Sequence, residues 1–299
     1  MKNISTGILH SSAFSLLATL WLHEPDAQTI ARAVNELGLP VAEPAELALA
    51  YADVFLLNVP PYGTAFTDDY GELNGERTQE VARLFESHDY APSELTEVAA
   101  PDHLGLCLGC LATGHEAIWA YMAEWAPVCC LAVEYEPTAH AFYRALAAKT
   151  RAAVFAHCPI GNTQSAQFSN LQLPLTHDSP DEELRLKDLL RFFLTPARCG
   201  AFLSRARLGQ MARALGMRLP FGSRFEVAEA LFIAAGDNGE TLGLLAMLED
   251  EVSAWAEAYR AWAEESPGWQ PAAEVWLSRA GAALKTLSEL RVIAEANPA

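Results

Sequence analysis

Apolar residues return every three or four positions along most of this chain. No stretch of six alternates apolar with polar, so the pattern commits the backbone to helices. Leu245, Leu248, Val252, Trp255, Tyr259 and Trp262 fall on one helical stripe, and Trp276, Ala280, Ala283, Leu287, Leu290 and Ala294 fall on another. The break "ESPGWQP" lies between them, so the two stripes predict a pair of amphipathic helices packed as a hairpin. Aromatic residues at that spacing are expected in a core rather than around a cofactor.

Helix boundaries are marked elsewhere. Ser179-Pro180-Asp181-Glu182 combines a capping box with proline at the first helical position, and Ser223-Arg224-Phe225-Glu226 is a second capping box. "ELGLP" near residue 40 and "ALGMRLP" near residue 220 read as helix stops, each a glycine followed by a proline. The one candidate strand, "PVCCLAVEY", is short enough to be a buried helical segment. The expected fold class is all-α, a bundle of about ten or eleven helices. From His157 to Ser179 the helical period disappears in a stretch rich in Asn, Gln, Ser and Pro. The expected division is therefore 1–156 as an N-terminal helical domain, 157–179 as a linker or hinge, and 180–299 as an extended C-terminal helical lobe. The same segment is a candidate functional loop, or the hinge of a domain-swapped homodimer.

Charge limits the partners. The net charge is −18, and residues 1–100 hold 15 Asp/Glu against 4 Lys/Arg. Such a surface opposes nucleic acid and anionic lipid, and draws basic segments instead. No uncharged apolar run reaches membrane-spanning length, so no membrane insertion is expected. The N-terminal "FSLLATLWL" is interrupted upstream by His10, Ser11 and Ser12 and is followed by no A-x-A site. Phe14, Leu17 and Trp21 there predict an amphipathic first helix. Six cysteines, two of them adjacent, read as reduced thiols of a cytoplasmic protein.

Catalytic signatures are absent: the chain has no G-x-S-x-G, no phosphate loop, no G-x-G-x-x-G and no H-E-x-x-H. It reads as a non-enzyme, with no cofactor and no metal. One constellation carries an alternative. His103, Cys107 and Cys110 share a helical face in "PDHLGLCLGC", with His115 beyond. An imidazole and two thiolates there would suit zinc or thiol redox chemistry, whereas leucine and glycine neighbours suit cysteines packed as small hydrophobes.

The segment "YADVFLLNVPPYGTAFTDDYGELNGERTQEVARLFESHDYAP", followed by "APDHLGLCLGCLATGHEAIW" and later "PTAHAFYRAL", resembles the TorD/DmsD family of redox-enzyme maturation chaperones over roughly residues 45–155. The resemblance implies an all-helical TorD-like bundle. Its partner would be the precursor of a molybdenum-containing oxidoreductase of the DMSO or TMAO reductase type, bound by its twin-arginine leader, its body or both until cofactor insertion and Tat export. It also implies that the PPY turn and the PDH loop line one side of a peptide groove. Tyr51, Phe55, Tyr62 and Phe66 would supply apolar walls. Asp68, Asp69, Glu72, Glu76 and Asp102 would face arginine, the prolines, Pro61 and Pro101 among them, would shape the loop, and His103 would join the partner-binding surface. On that reading, alanine at Asp102 and His103 weakens peptide binding and leaves the fold near wild type. The chain departs from the family where acidic and aromatic residues usually follow the PDH, since Cys107, Gly109 and Cys110 stand there. Its C-terminal 140 residues are also longer than a typical member's.

Overall fold

The computed structural model describes residues 3–69, 75–98, 100–157 and 186–296, with side chains described from residue 11 onward. Among these residues there are fifteen α-helices and no strand. The all-α expectation holds, and the helix number exceeds ten or eleven because several helices are single turns too short to show a period. The chain divides into two compact units. The first comprises residues up to Pro159 apart from Asp69–Gly71, and the second comprises that short piece with Ile160–Ala299. The linker expected at 157–179, and the cap expected at Ser179, lie outside the described residues except for His157.

The first unit begins with α1 (Asn3–Leu22), then α2 (Ala27–Arg32), which runs on through a π-helical segment at Ala33–Leu37. Helix α1 is buried more widely than its predicted stripe. Phe14, Leu16, Leu17, Leu20 and Trp21 are all interior, and from residue 11 onward only Ser12, Ser15 and Thr19 form a thin exposed polar line. The "ELGLP" stop is a left-handed cap at Gly38, φ 69°. Helix α3 (Pro44–Tyr51) continues into a second π-helical segment, Ala52–Asn58. The single-turn α4 (Thr64–Thr67), then α5 (Glu76–Ser87) and α6 (Leu95–Val98), lead to the next pair of long elements.

Helix α7 (Leu104–Ala112) packs against α1 through its glycines. A Cβ on Gly105 would lie 3.0 Å from the Ala18 carbonyl oxygen, and one on Gly109 would strike the Tyr90 hydroxyl. Gly109 is one of the positions where the family resemblance leads one to expect larger side chains. Close approach of α1 and Tyr90 explains why a small residue stands there. Helices α8 (Ile118–Tyr135) and α9 (Ala141–His157) form a long antiparallel pair. The candidate strand at 127–135 is the second half of α8, entirely helical and almost entirely buried, with Pro127 removing one N–H from the ladder. Buried polar tips lock these helices together. Tyr51 Oη donates to the Trp21 carbonyl at 3.0 Å, Tyr143 Oη to the Leu47 carbonyl at 3.0 Å, and Trp21 Nε1 to Thr150 Oγ1 at 2.9 Å.

The second unit contains α10 (Leu186–Phe193), α11 (Pro196–Cys199), α12 (Arg205–Ala214), α13 (Arg224–Asp237), α14 (Thr241–Glu265) and α15 (Gln270–Ala296). The predicted hairpin is α14 and α15, joined across a 3₁₀ turn at Pro267–Trp269. Trp255, Tyr259, Trp262, Trp269 and Trp276 meet in its core, with Tyr259 within 6.3 Å of each of the other four rings. The Ser223–Glu226 box forms in both directions: Glu226 N donates to Ser223 Oγ, and Ser223 N to the Glu226 carboxylate. Gly216, φ 72°, ends the turn after α12, as "ALGMRLP" predicts.

Candidate functional site

The PPY turn and the PDH loop lie side by side. Tyr62 and His103 form an isolated antiparallel bridge, Gly63 N donates to the Asp102 carbonyl at 3.0 Å, and Leu104 N donates to the Pro61 carbonyl at 2.8 Å. The Tyr62 ring stands edge-on to the His103 ring at 5.0 Å, and Tyr62 Oη donates to the Val98 carbonyl at 3.1 Å. Beneath them the Asp102 carboxylate accepts Thr64 N and Thr64 Oγ1, both at 2.8 Å.

The structure divides the twelve predicted residues by depth. Tyr51, Phe55, Pro61 and Phe66 are interior. Tyr51 and Phe55 join an aromatic cluster with Trp21 and Tyr143, while Phe66 stacks on Trp125 at 6.2 Å. Asp102 is 0 % exposed and His103 3 %. Both act as structural ligands of backbone groups, Asp102 for Thr64 and His103 as the cap of α7, its Nδ1 accepting Gly105 N at 3.1 Å. Tyr62, Asp68 and Pro101 are half-buried and Glu76 is exposed in the first turn of α5. Asp68 approaches Gly75, and Asp69 belongs with the second unit, its carbonyl accepting Arg198 Nε at 2.6 Å. Glu72 lies outside the described residues.

Burial sets the protonation of these groups. Desolvation pushes the Asp102 carboxyl above its usual value, against the donors of Thr64, and pulls His103 down to about 3. His103 is therefore a neutral ring carrying its proton on Nε2. The thiols follow the same rule: burial pushes Cys107 well up and Cys110 up to about 11. Both are interior, as are Cys129, Cys130 and Cys199. Among the described residues no three His, Cys, Asp or Glu side chains gather as a metal would need, and His103 Nδ1 already holds the α7 cap. The His103–Cys107–Cys110 face is thus built as packing.

Three features were not predicted. Arg77 on α5 pairs with buried Glu124 on α8, lies 5.9 Å from the Tyr121 ring centre, and reaches Glu80 at 3.2 Å. Tyr121 and Trp125 of α8 press against Gly63 of the turn, where a Cβ would collide with both. Leu49 and Leu56, 78 % and 71 % exposed, stand on the outward side of α3 and its π-helical extension, with Val41 and Leu57 also exposed. The exposed leucines follow from the pattern once the buried positions Leu47, Tyr51, Val54 and Phe55 are known. The Arg77–Glu124 pair spans 47 residues and has no local signature.

Residues 22–130 match the family model of the nitrate reductase delta subunit. That family is one of TorD-like, redox-enzyme maturation chaperones. The matched stretch runs from the end of α1 into α8 and contains both turns and the exposed leucines of α3 and its π-helical extension. No curated protein and no solved structure matches the chain. No helix among the described residues is long and apolar enough to cross a membrane.

Proposed function

We propose that this chain is a non-catalytic maturation chaperone of the cytoplasm. It binds the basic and apolar twin-arginine leader of a molybdopterin oxidoreductase precursor, and holds the precursor until cofactor insertion and Tat export. The observation that carries the reading is the match of residues 22–130 to the nitrate reductase delta subunit family, over the part of the chain that also bears an apolar, acid-flanked surface. Between residues 33 and 76 there are eight Asp/Glu and no Lys or Arg. Leu49 and Leu56 offer apolar contact to the hydrophobic part of a leader, and Glu43, Glu46, Asp53, Asp68 and Glu76 offer carboxylates to guanidinium groups. Tyr62 and Pro101 extend this surface at the joined turns. Tyr51, Phe55, Phe66, Asp102 and His103 serve it from beneath by fixing the turn.

Affinity capture of the full chain from its native host tests the reading. The expected catch is one molybdoenzyme precursor with its leader intact, and a synthetic leader peptide should bind the purified chain with an affinity that falls as salt rises. Capture that yields no molybdoenzyme, together with a leader peptide that fails to bind, refutes it.

A further inference from the structure

Between Asp188 and Glu226 the chain carries seven arginines and no lysine, aspartate or glutamate, within a protein whose net charge is −18. Most of these arginines are engaged inside the second unit. Arg191 pairs with Asp188 at 3.7 Å and Arg207 with Glu251 at 3.2 Å, while Arg198 and Arg224 donate to the carbonyls of Asp69 and Leu194. Arg205, Arg213 and Arg218 form no ion pair among the described residues. These three share one surface. Arg205, Gly209 and Arg213 stand at successive turns on a single face of α12, and the Arg213 guanidinium lies 3.4 Å from the place a Cβ on Gly209 would take. Arg205 lies over the Phe221 ring at 4.7 Å, and Arg218 belongs to the same loop as that ring. Arg213 and Arg218 are exposed, and Phe221, at 88 %, is the most exposed large apolar side chain among the described residues. A lone exposed phenylalanine is ordinary, but one held against a guanidinium beside two more unpaired arginines is preorganised to receive a ligand.

We propose that Arg205, Arg213, Arg218 and Phe221 form a docking surface for a short acidic segment of a partner protein, one with carboxylates on either side of an apolar residue. Guanidinium forks match carboxylates in geometry and charge, and Phe221 offers the flat apolar contact between them. Arg205 and Arg213 are about 12 Å apart along the helix, a span that about four residues of extended chain cover. The overall charge selects a segment over a larger polyanion. An anionic bilayer or a nucleic-acid duplex would press against a broad face of an acidic protein, and repulsion grows with the area brought close. A peptide reaches the arginines and little else. The acids that border the surface leave it open, since Glu251 is taken by Arg207 and Glu226 by the Ser223 capping box. Its sign is opposite to that of the leucine-bearing surface of the first unit. The two therefore select segments of opposite charge, and this inference stands independently of the leader reading.

The test titrates a fluorescein-labelled peptide, Glu-Glu-Leu-Trp-Leu-Glu-Glu, with the full chain and follows its anisotropy at about 50 mM salt. Saturable binding is expected, falling as salt rises and about tenfold weaker when glutamine replaces each glutamate of the peptide. Arg213→Glu with Arg218→Glu should weaken binding by at least about tenfold, and Phe221→Ser by about fivefold, through lost ion pairs and lost apolar contact respectively. All three positions are exposed, so both variants should keep the unfolding midpoint within about 1 °C of wild type, which separates a lost contact from a lost fold. Failure of the glutamate peptide to bind, equal binding of the glutamine peptide, or undiminished binding by either variant overturns the proposal. Displacement of the bound peptide by phosphatidylglycerol vesicles, with the chain sedimenting alongside them, also overturns it and gives the surface to lipid instead.

Discussion

Asp102 and Thr64 are 38 residues apart, and a single carboxylate oxygen of the first accepts both the N–H and the hydroxyl of the second at 2.8 Å. Gly63 N donates to the Asp102 carbonyl as well, so this one residue clamps the PPY turn to the PDH loop. The sequence reading had alanine at Asp102 leaving the fold intact. A fully buried clamp reverses that expectation. Asp102→Ala should cost about 2–4 kcal/mol, because it strands two buried donors. Asp102→Asn keeps an accepting oxygen and should cost about 1 kcal/mol. Urea unfolding of the two variants measures both, and an alanine variant as stable as wild type would refute the clamp.

The neighbouring residues Asp102 and His103 respond to pH in opposite senses. Burial holds His103 at about 3 in the fold, whereas an unfolded histidine titrates near 6.5. Below pH 6.5 the unfolded chain takes up a proton that the folded ring refuses. Stability from this residue is therefore complete above 6.5 and drains away toward pH 3, at about 1.4 kcal/mol per pH unit. The raised Asp102 carboxyl binds its proton in the fold before the unfolded chain does. It favours the fold on the acid side, and its contribution falls as pH rises from 3.8 through its own raised value. His103→Asn keeps a good helix cap and removes the imidazole. Its urea midpoint should change less between pH 7 and pH 4 than that of wild type, and an equal or steeper loss would show that another group controls the acid limb.

Glycines of the helices separate into two kinds. A Cβ on Gly105 meets the Ala18 backbone and the Leu22 side chain, while one on Gly236 meets nothing within 4 Å. Gly105→Ala should destabilise the first unit by more than the roughly 1 kcal/mol that helix propensity returns, since α1 must shift to admit the methyl group. Gly236→Ala, in α13, should stabilise the second unit by about 0.5–1 kcal/mol. Thermal unfolding of the two variants reads both signs, and a stabilised Gly105→Ala would mean that α1 and α7 pack more loosely than described.

These contrasts show where the sequence was readable. The α14–α15 hairpin, the Ser223–Glu226 box and the left-handed stops at Gly38 and Gly216 follow from local rules, because spacing, caps and positive φ are written within a few residues. The pairing of PPY with PDH was expected only through the family resemblance. What failed to show was depth. Tyr51, Phe55 and Phe66 look the same in a sequence whether they wall a groove or fill a core, since both demand an apolar residue. Charged Arg77 and Glu124, and the contact of Tyr121 and Trp125 with Gly63, depend on how α5, α8 and the turn cross, and no window of sequence contains all three.

Thiol chemistry offers an independent check on the cysteine face. Cys107, Cys110, Cys129, Cys130 and Cys199 are buried, and burial raises each thiol. Reaction requires both a thiolate and access, so all five should resist an aromatic disulfide reagent at pH 8 in the folded protein. In a Cys158→Ser background the native chain should release almost no chromophore over minutes, and five equivalents in urea. Rapid native labelling at Cys107 or Cys110 would restore the redox reading of that face.

The exposed leucines give the sharpest test of the binding surface. Leu49 and Leu56 are 78 % and 71 % exposed, so replacing them disturbs little packing. Leu49→Glu with Leu56→Glu should leave the unfolding midpoint within about 1 °C of wild type. If this face receives the apolar part of a leader, the same pair of changes should weaken leader-peptide binding by at least about tenfold, since two lost apolar contacts of this size are worth more than 1.4 kcal/mol. Leu49→Met with Leu56→Met should preserve most of the affinity, because shape and apolar area survive. Undiminished binding by the glutamate variant, with wild type binding normally, would move the contact surface away from α3 and toward Tyr62, Pro101 and Glu76 while leaving the chaperone reading in place.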